Sequence, residues 1–150
     1  MDKIIHCTID LPCDAKMAFQ LFTDNQHLES WLTVEADVTT EVGGKYELFW
    51  DPQGRENNST IGCKITVIEQ NELIAFEWRS PVQFKRFANS ADPLTHVVVC
   101  FIPDGSGTTV HLLHSGWRST DEWEQARLWQ ERSWRFAFTR LSENISSMLV

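Results

Sequence analysis

The sequence predicts an α+β fold in which a curved antiparallel sheet of about seven strands wraps around a long C-terminal helix. Two short helices are expected after the first strand. Most segments between residues 34 and 117 alternate apolar and polar side chains, as strands do. Residues 119–149 contain neither Gly nor Pro and repeat apolar side chains every three or four positions. A chain of 150 residues can bury one core without disulfide or metal support, so residues 1–150 are expected to form one domain.

The first strand and the two short helices are predicted from the N-terminal sequence. Residues 3–11 alternate and are rich in β-branched side chains, and Pro12 ends this strand. Asp14 can then cap a helix over residues 15–23. A second helix is predicted over residues 26–32, because Leu28, Trp31 and Leu32 share one helical face.

Period-two alternation then predicts the remaining strands, and short turns separate them. Tyr46, Leu48 and Trp50 form the expected inner set of one of these strands. The sequence Asp104-Gly105-Ser106-Gly107 is a strong hairpin signal between the last two strands. The predicted strands cover residues 34–42, 45–51, 60–70, 72–80, 95–103 and 108–117.

The segment 81–94 interrupts this succession of strands and short turns. It is long for a connection in a compact domain, and it carries Phe84 and Phe87 beside Lys85 and Arg86. Two interpretations remain open: a lid or partner-binding flap, and a surface excursion that packs its rings against the body of the protein.

The final segment is the strongest helix prediction. Ser119 and Glu122 have the spacing of a capping box, and the helix is expected to extend to about Leu149. Trp134 and Phe138 should face the concave sheet. Trp129 and Phe136 lie off that face and are expected to pack at its flank, against a sheet edge, a short helix or another subunit. The continuous face comprises Trp123, Ala126, Gln130, Trp134, Ala137, Phe138, Leu141, Ile145 and Met148.

Composition argues against several classes of partner and location. The net charge of −8 gives no basic footprint for nucleic acid or anionic membranes. No apolar run reaches the roughly 20 residues of a membrane span, and the N-terminus reads as a strand and not as a signal peptide. We therefore expect a cytoplasmic protein whose four cysteines are reduced.

Several short motifs, in this order, resemble the START-like (SRPBCC) superfamily with its helix-grip fold. More narrowly, the chain resembles the family related to the C-terminal domain of the activator of the ninety-kilodalton heat-shock chaperone ATPase. This family usually has a Gly-Trp pair where the chain has Ser133-Trp134. The resemblance implies an apolar cavity between the sheet and the long helix. The motifs are WL at 31–32, GGKY at 43–46, LIAFEW at 73–78, LLHSGW at 112–117 and SWRFAFTRL at 133–141.

His114 is the main candidate for a reactive side chain. His111 and His114 are three apart on a strand and point to opposite faces, so they are not expected to share a metal. His114 has the parity of Leu112 and should face inward, as a hydrogen-bonded core histidine or as a ligand-orienting or acid–base group. No cofactor fingerprint or metal motif is present in the sequence, and no cofactor, metal or catalytic residue is predicted.

The favoured function is the binding of a small hydrophobic ligand between the long helix and the sheet, as a carrier or sensor. Such pockets are mostly apolar with a few polar anchors. The cavity candidates are the inward-facing residues Phe22, Trp31, Tyr46, Leu48, Trp50, Phe76, Trp78, Val99, Leu112, His114, Trp134 and Phe138.

Two alternatives remain open. One is a stress-related co-chaperone or protein-interaction module, for which Phe84, Phe87, Trp129 and Phe136 are the candidate lid or partner surface. The other is a cyclase-like or hydrolase-like enzyme that uses His114, although an enzyme is the less favoured interpretation.

Overall fold

The computed structural model describes residues 3–149. Seven strands and four α-helices are formed in this range, together with a short 3-10 turn at Val82–Phe84. The strands are β1 (Ile5–Leu11), β2 (Glu35–Val38), β3 (Tyr46–Phe49), β4 (Ile65–Glu69), β5 (Leu73–Trp78), β6 (Thr95–Asp104) and β7 (Gly107–Ser115). The helices are α1 (Ala15–Thr23), α2 (Asn25–Trp31), α3 (Lys85–Ala88) and α4 (Asp121–Met148).

Two aspartates define the helical segment after β1. The Asp14 side chain accepts a hydrogen bond from the Met17 backbone N–H at 2.9 Å, which begins α1. Asp24 ends α1 through its own N–H, which donates to the Gln20 carbonyl. The Asp24 side chain also accepts from the N–H groups of Gln26 and His27 and so begins α2.

The strands form one antiparallel sheet of order β1-β7-β6-β5-β4 and a separate pair, β2-β3. The pair continues the sheet past β4 through irregular bridges: Gly43 N–H donates to the Ile65 carbonyl at 2.8 Å, and Tyr46 N–H donates to the Cys63 carbonyl at 2.9 Å. A bulge between Ile65 and Val67 breaks the register of β4.

Helix α4 lies against the inner face of this sheet. The Trp134 ring centroid is 4.9 Å from that of Trp78 on β5, and the Phe138 centroid is 6.2 Å from both Phe22 and Trp31. Trp134 therefore packs against the sheet as predicted, and the α+β helix-grip fold is confirmed. Phe138, which was also predicted to face the sheet, has its ring contacts with Phe22 on α1 and Trp31 on α2, because the two short helices close this end of the interface.

Local details differ from the sequence predictions. Thr120, not Ser119, caps α4, because its hydroxyl accepts from Trp123 N–H at 3.3 Å. Trp50 lies beyond the end of β3 and keeps 36% of its surface exposed, so it does not share the full burial of Tyr46 and Leu48.

The segment 81–94 folds back onto α4. Phe84 lies 6.1 Å from Trp129 and Phe87 lies 5.2 Å from Trp123, measured between ring centroids. Within residues 3–149, no helix is both long enough and apolar enough to cross a membrane.

Candidate functional site: a tryptophan groove beside the long helix

An open groove with a volume of about 450 Å³ lies between α4 and the loops at the ends of β3 and β5. We call it the tryptophan groove. Its size lies within the roughly 300–1,000 Å³ range of small-molecule pockets. Its aromatic lining consists of Trp31, Trp50, Trp78, Trp129, Trp134 and Phe136, and Leu32, Pro81 and Ala137 complete the apolar part. Its polar lining consists of Asn58, Ser59, Arg79, Gln83, Gln130, Ser133 and Arg140.

The indole N–H groups at one side of the groove donate to backbone carbonyls. Trp31 Nε1 donates to the Leu21 carbonyl at 2.8 Å, and Trp50 Nε1 donates to the Leu32 carbonyl at 2.8 Å. These bonds fix the ring planes and satisfy their only polar atoms. What the two rings offer the groove is therefore apolar carbon.

Two further indoles of the groove donate to side chains. Trp78 Nε1 donates to Gln130 Oε1 at 3.2 Å, and Trp134 Nε1 donates to His114 Nδ1 at 3.1 Å. Both bonds join α4 to the sheet, because Gln130 and Trp134 lie on α4 and their partners lie on β5 and β7.

His114 is fully buried and both ring nitrogens are occupied. Because an indole N–H can only donate, Nδ1 must be the acceptor, and Nε2 therefore carries the proton that it donates to Thr95 Oγ1 at 2.9 Å. Burial, with a smaller contribution from His96, lowers the pKa of His114 to about 3. The ring is thus neutral and holds Trp134 in place. It does not line the groove.

Gln130 differs from His114, because only one of its two polar atoms is hydrogen-bonded. Its side chain is buried, with 4% of its surface exposed, and its oxygen already accepts from Trp78. Within residues 3–149 its amide nitrogen donates to no protein acceptor, although the residue lines the groove. Gln130 therefore supplies a free N–H donor at the groove wall.

Four groove residues share one face of α4. Gln130, Ser133, Ala137 and Arg140 follow one another at helical spacings of three and four. Gln130 and Ala137 belong to the continuous face that the sequence predicts for α4, whereas Ser133 and Arg140 do not. The three- and four-residue spacing from Gln130 is the sequence signal that could have placed Ser133 and Arg140 beside it.

The predicted cavity residues separate into two groups. Trp31, Trp50, Trp78 and Trp134 line the groove. The rest are buried in the core and do not line it, namely Phe22, Tyr46, Leu48, Phe76, Val99, Leu112, His114 and Phe138.

Stacked side chains fill the space in which these core residues meet. The Tyr46 and Phe76 rings stack with 3.7 Å between centroids, and the Tyr46 hydroxyl donates to the Phe22 carbonyl at 2.7 Å. Burial raises the pKa of that hydroxyl. The open volume therefore lies at the edge of the helix–sheet interface.

The candidate lid or partner residues also divide. Phe84 and Phe87 are half-buried against α4, and Arg86 pairs with Glu122 at 2.7 Å. Trp129 and Phe136 line the groove, and Phe136 keeps 68% of its surface exposed. The expected flank packing of Trp129 is against Phe84.

Arg79 was not predicted, and its environment is unusual. Its Nε is the one buried side-chain nitrogen or oxygen without a hydrogen-bond partner in the described part of the chain. Its Nη2 lies 3.6 Å from the position that a Cβ on Gly62 would occupy, and its charge acts on the Cys63 thiol. Burial raises the pKa of that thiol to about 12 despite the arginine.

The described residues hold no group of three or more His, Cys, Asp or Glu side chains placed to bind a metal ion. All four cysteines are free. The chemistry available at the groove is therefore that of aromatic faces, hydrogen-bond donors and arginine charge.

Known structures share this fold. The protein MLL2253 from Mesorhizobium loti superimposes with a TM-score of 0.76 at 16% identity, over 97% of this chain and 98% of that one. An HSP90 activator from Plasmodium falciparum gives a TM-score of 0.68 at 19% identity, over 97% and 95% of the two chains. The Aha1 dimer from Colwellia psychrerythraea gives 0.70 at 16% identity, over 95% of each chain.

Sequence comparison gives the family. No curated protein matches the chain. The family model for Activator of Hsp90 ATPase homolog 1-like protein matches residues 12–145, and this match confirms the resemblance predicted from the motifs. The chain therefore belongs to the Activator of Hsp90 ATPase homolog 1-like family.

Proposed function

We propose that the protein binds a small, flat, apolar molecule in the tryptophan groove and acts as its carrier or sensor. The observation that carries this proposal is the open volume of about 450 Å³ beside aromatic rings whose N–H groups mostly donate to the protein itself. A ligand that covers the ring faces loses no hydrogen bond to them. Apolar burial of roughly 25 cal/mol per Å² then favours binding.

The remaining polar groups support orientation of such a ligand. Gln130 offers an N–H donor from a buried position, and Ser133 lies one helical turn further along α4. A few polar groups in an apolar wall are typical of small-molecule sites. The four free cysteines are compatible with action in the cytoplasm, which we also propose.

Groove filling tests the proposal. Ser133→Phe places a ring inside the groove, whereas Ser142→Phe places the same ring on an exposed position of α4 outside it. We expect wild-type protein to show a saturable change in tryptophan fluorescence with members of an aromatic and lipid library. Ser133→Phe should weaken that binding at least about tenfold, or by more than about 1.4 kcal/mol, because ligand and ring cannot share the volume.

Ser142→Phe should bind as the wild type does, and thermal unfolding should show that both variants are folded. If no library member gives a saturable response, or if Ser133→Phe binds every responding ligand as the wild type does, the groove is not the site.

A second candidate function is a co-chaperone or other protein-interaction role. It is favoured by the exposed apolar residues on α4, where Leu128 keeps 41% and Phe136 keeps 68% of its surface exposed. A solved relative in fold is described as an HSP90 activator. We expect Phe136→Ser to abolish any binding and ATPase stimulation of an Hsp90-type chaperone, while Ile102→Ser, an exposed position on β6, retains both. Wild-type protein that neither binds nor stimulates the chaperone would end this candidate.

A further inference from the structure

We propose that the tryptophan groove selects anionic ligands: flat apolar molecules that carry a carboxylate or sulfonate, with that group at Arg140. This inference rests on the proposed function and specifies the class of ligand. It comes from the charge distribution around the groove and from the direction of its hydrogen-bonding groups.

The charge around the groove is opposite in sign to the charge of the whole protein. The chain carries 21 acidic and 13 basic residues, a net charge of −8. Nevertheless, the groove lining in the described residues includes Arg79 and Arg140 and no Asp or Glu. The long-range field of the protein repels anions, so any preference for them must arise from these local groups.

Arg140 is available to a ligand. The ion pairs formed within residues 3–149 engage Arg55, Arg86, Arg127 and Arg135, and none involves Arg140. Arg79 is the less suitable partner, because its guanidinium lies beside the Gly62 turn. An arginine without a carboxylate partner at the rim of an apolar groove can form charge-assisted hydrogen bonds with an incoming anion.

The inner end of the groove also favours an acceptor. Within residues 3–149 the Gln130 amide nitrogen donates to no protein acceptor, so both of its N–H groups are available to a ligand, whereas its oxygen already accepts from Trp78. Ten residues of α4 separate Gln130 from Arg140, which corresponds to about 15 Å along the helix axis. A ligand of two or three rings can therefore contact the tryptophans between a neutral acceptor at Gln130 and an anion at Arg140.

The position of Arg140 suits a charged group. Arg140 is exposed, so an anion bound there keeps part of its hydration and avoids the large cost of burying a charge. The same exposure limits the strength of the interaction to the range of surface ion pairs.

The test uses two fluorescent probes with the same ring system, anilinonaphthalene sulfonate and its uncharged parent phenylnaphthylamine. Arg140→Glu reverses the charge in the groove. Arg132→Glu is the matched control, because Arg132 is an exposed residue of α4 outside the groove and its replacement changes the net charge equally. Each probe is titrated into the wild type and into both variants at the same salt concentration.

We expect Arg140→Glu to weaken binding of the sulfonate about five- to tenfold, since an attraction is lost and a repulsion of similar size replaces it. The uncharged parent should change less than about twofold, and Arg132→Glu should change neither probe by more than about twofold. Raising the salt concentration should reduce the difference between the probes.

Failure of this inference is distinguishable from failure of the proposed function. If Ser133→Phe blocks both probes but Arg140→Glu affects them equally, the groove binds ligands without selecting their charge. If Ser133→Phe blocks neither probe, the proposed function itself fails, and the selectivity fails with it.

Discussion

The His114 centre and the tryptophan groove share two indoles, Trp78 and Trp134, whose rings are tilted by 44° to each other, yet their polar groups differ in how completely they are hydrogen-bonded. Around His114, both ring nitrogens are paired, with Trp134 and with Thr95. Gln130, which lines the groove, is paired only through its oxygen within residues 3–149, and its amide nitrogen has no protein partner. Both sites therefore combine tryptophans with polar side chains, but hydrogen bonding is complete at the His114 ring and incomplete at Gln130.

This difference separates a structural role from a binding role. A buried polar network in which every group is paired stabilises one arrangement of the core, and disruption of it is costly. A donor without a protein partner at the wall of an open groove is a group that a ligand or water can satisfy. Mutations at the two sites should therefore differ in their effect on stability, and those differences test the distinction.

The largest effect is expected at His114. His114→Ala removes the partners of Trp134 Nε1 and Thr95 Oγ1 in a place without solvent, so we expect a loss of about 2–4 kcal/mol in the free energy of unfolding. Denaturant titration measures it. His27→Ala is the control, because His27 is half-buried and its ring forms no hydrogen bond in the described part of the chain; it should cost less than about 1 kcal/mol. Equal costs for the two variants would contradict the assigned role.

The stability of the protein at acidic pH should depend on His114. Burial lowers the pKa of His114 to about 3, whereas an unfolded histidine titrates near 6.5. Below pH 6.5 the unfolded chain binds a proton at His114 that the folded chain does not bind. The contribution of neutral His114 to stability is therefore fully present above that pH and decreases toward pH 3.

Between pH 6.5 and 5 we expect the free energy of unfolding to fall by roughly 1 kcal/mol per pH unit through this group. His114→Gln should lack this component, while His27→Ala should retain it. In nitrogen NMR spectra, the His114 ring should stay neutral, with the proton on Nε2, down to about pH 4. A ring that titrates near pH 6.5 in the folded protein would refute the buried neutral state.

The fold could be predicted from local sequence patterns. Period-two alternation in β6 and β7, and the long helical face of α4, each describe one element and its inner side without knowledge of its neighbours. The ends of the strands and helices were harder to predict. Trp50 follows the parity of Tyr46 and Leu48, but β3 ends at Phe49 and parity no longer determines where the next side chain points.

The position of the open space could not be predicted. Alternation identifies the inward rings but not the volume that remains between them, which depends on how side chains such as Tyr46 and Phe76 stack. The groove also draws on the 79–83 segment, whose path is set by contacts with distant residues, such as that between Val82 N–H and Asn58 Oδ1 at 3.0 Å. Only the α4 side of the groove could be recognised from a local sequence pattern, in which Gln130 is the polar member of an apolar face.

An intermediate effect is expected at Gln130. Gln130→Met leaves Trp78 Nε1 without its acceptor, but the groove admits water, so the cost should be about 1 kcal/mol and lower than that of His114→Ala. Gln125→Met is the matched control on an exposed position of α4 and should be nearly neutral. A cost for Gln130→Met equal to that for His114→Ala would mean that the groove is as closed as the histidine centre.

The smallest effect on stability is expected at Phe136, although this residue lines the groove. With 68% of its surface exposed, its ring contributes little to folding, and Phe136→Ser should change the free energy of unfolding by less than about 0.5 kcal/mol. Denaturant titration beside Phe138→Ser, which alters a buried ring on the same helix, gives the contrast. A large loss at Phe136 would show that its ring is packed in solution. A neutral result leaves an apolar ring at the groove edge that contributes little to folding and is available for contact with a ligand or partner.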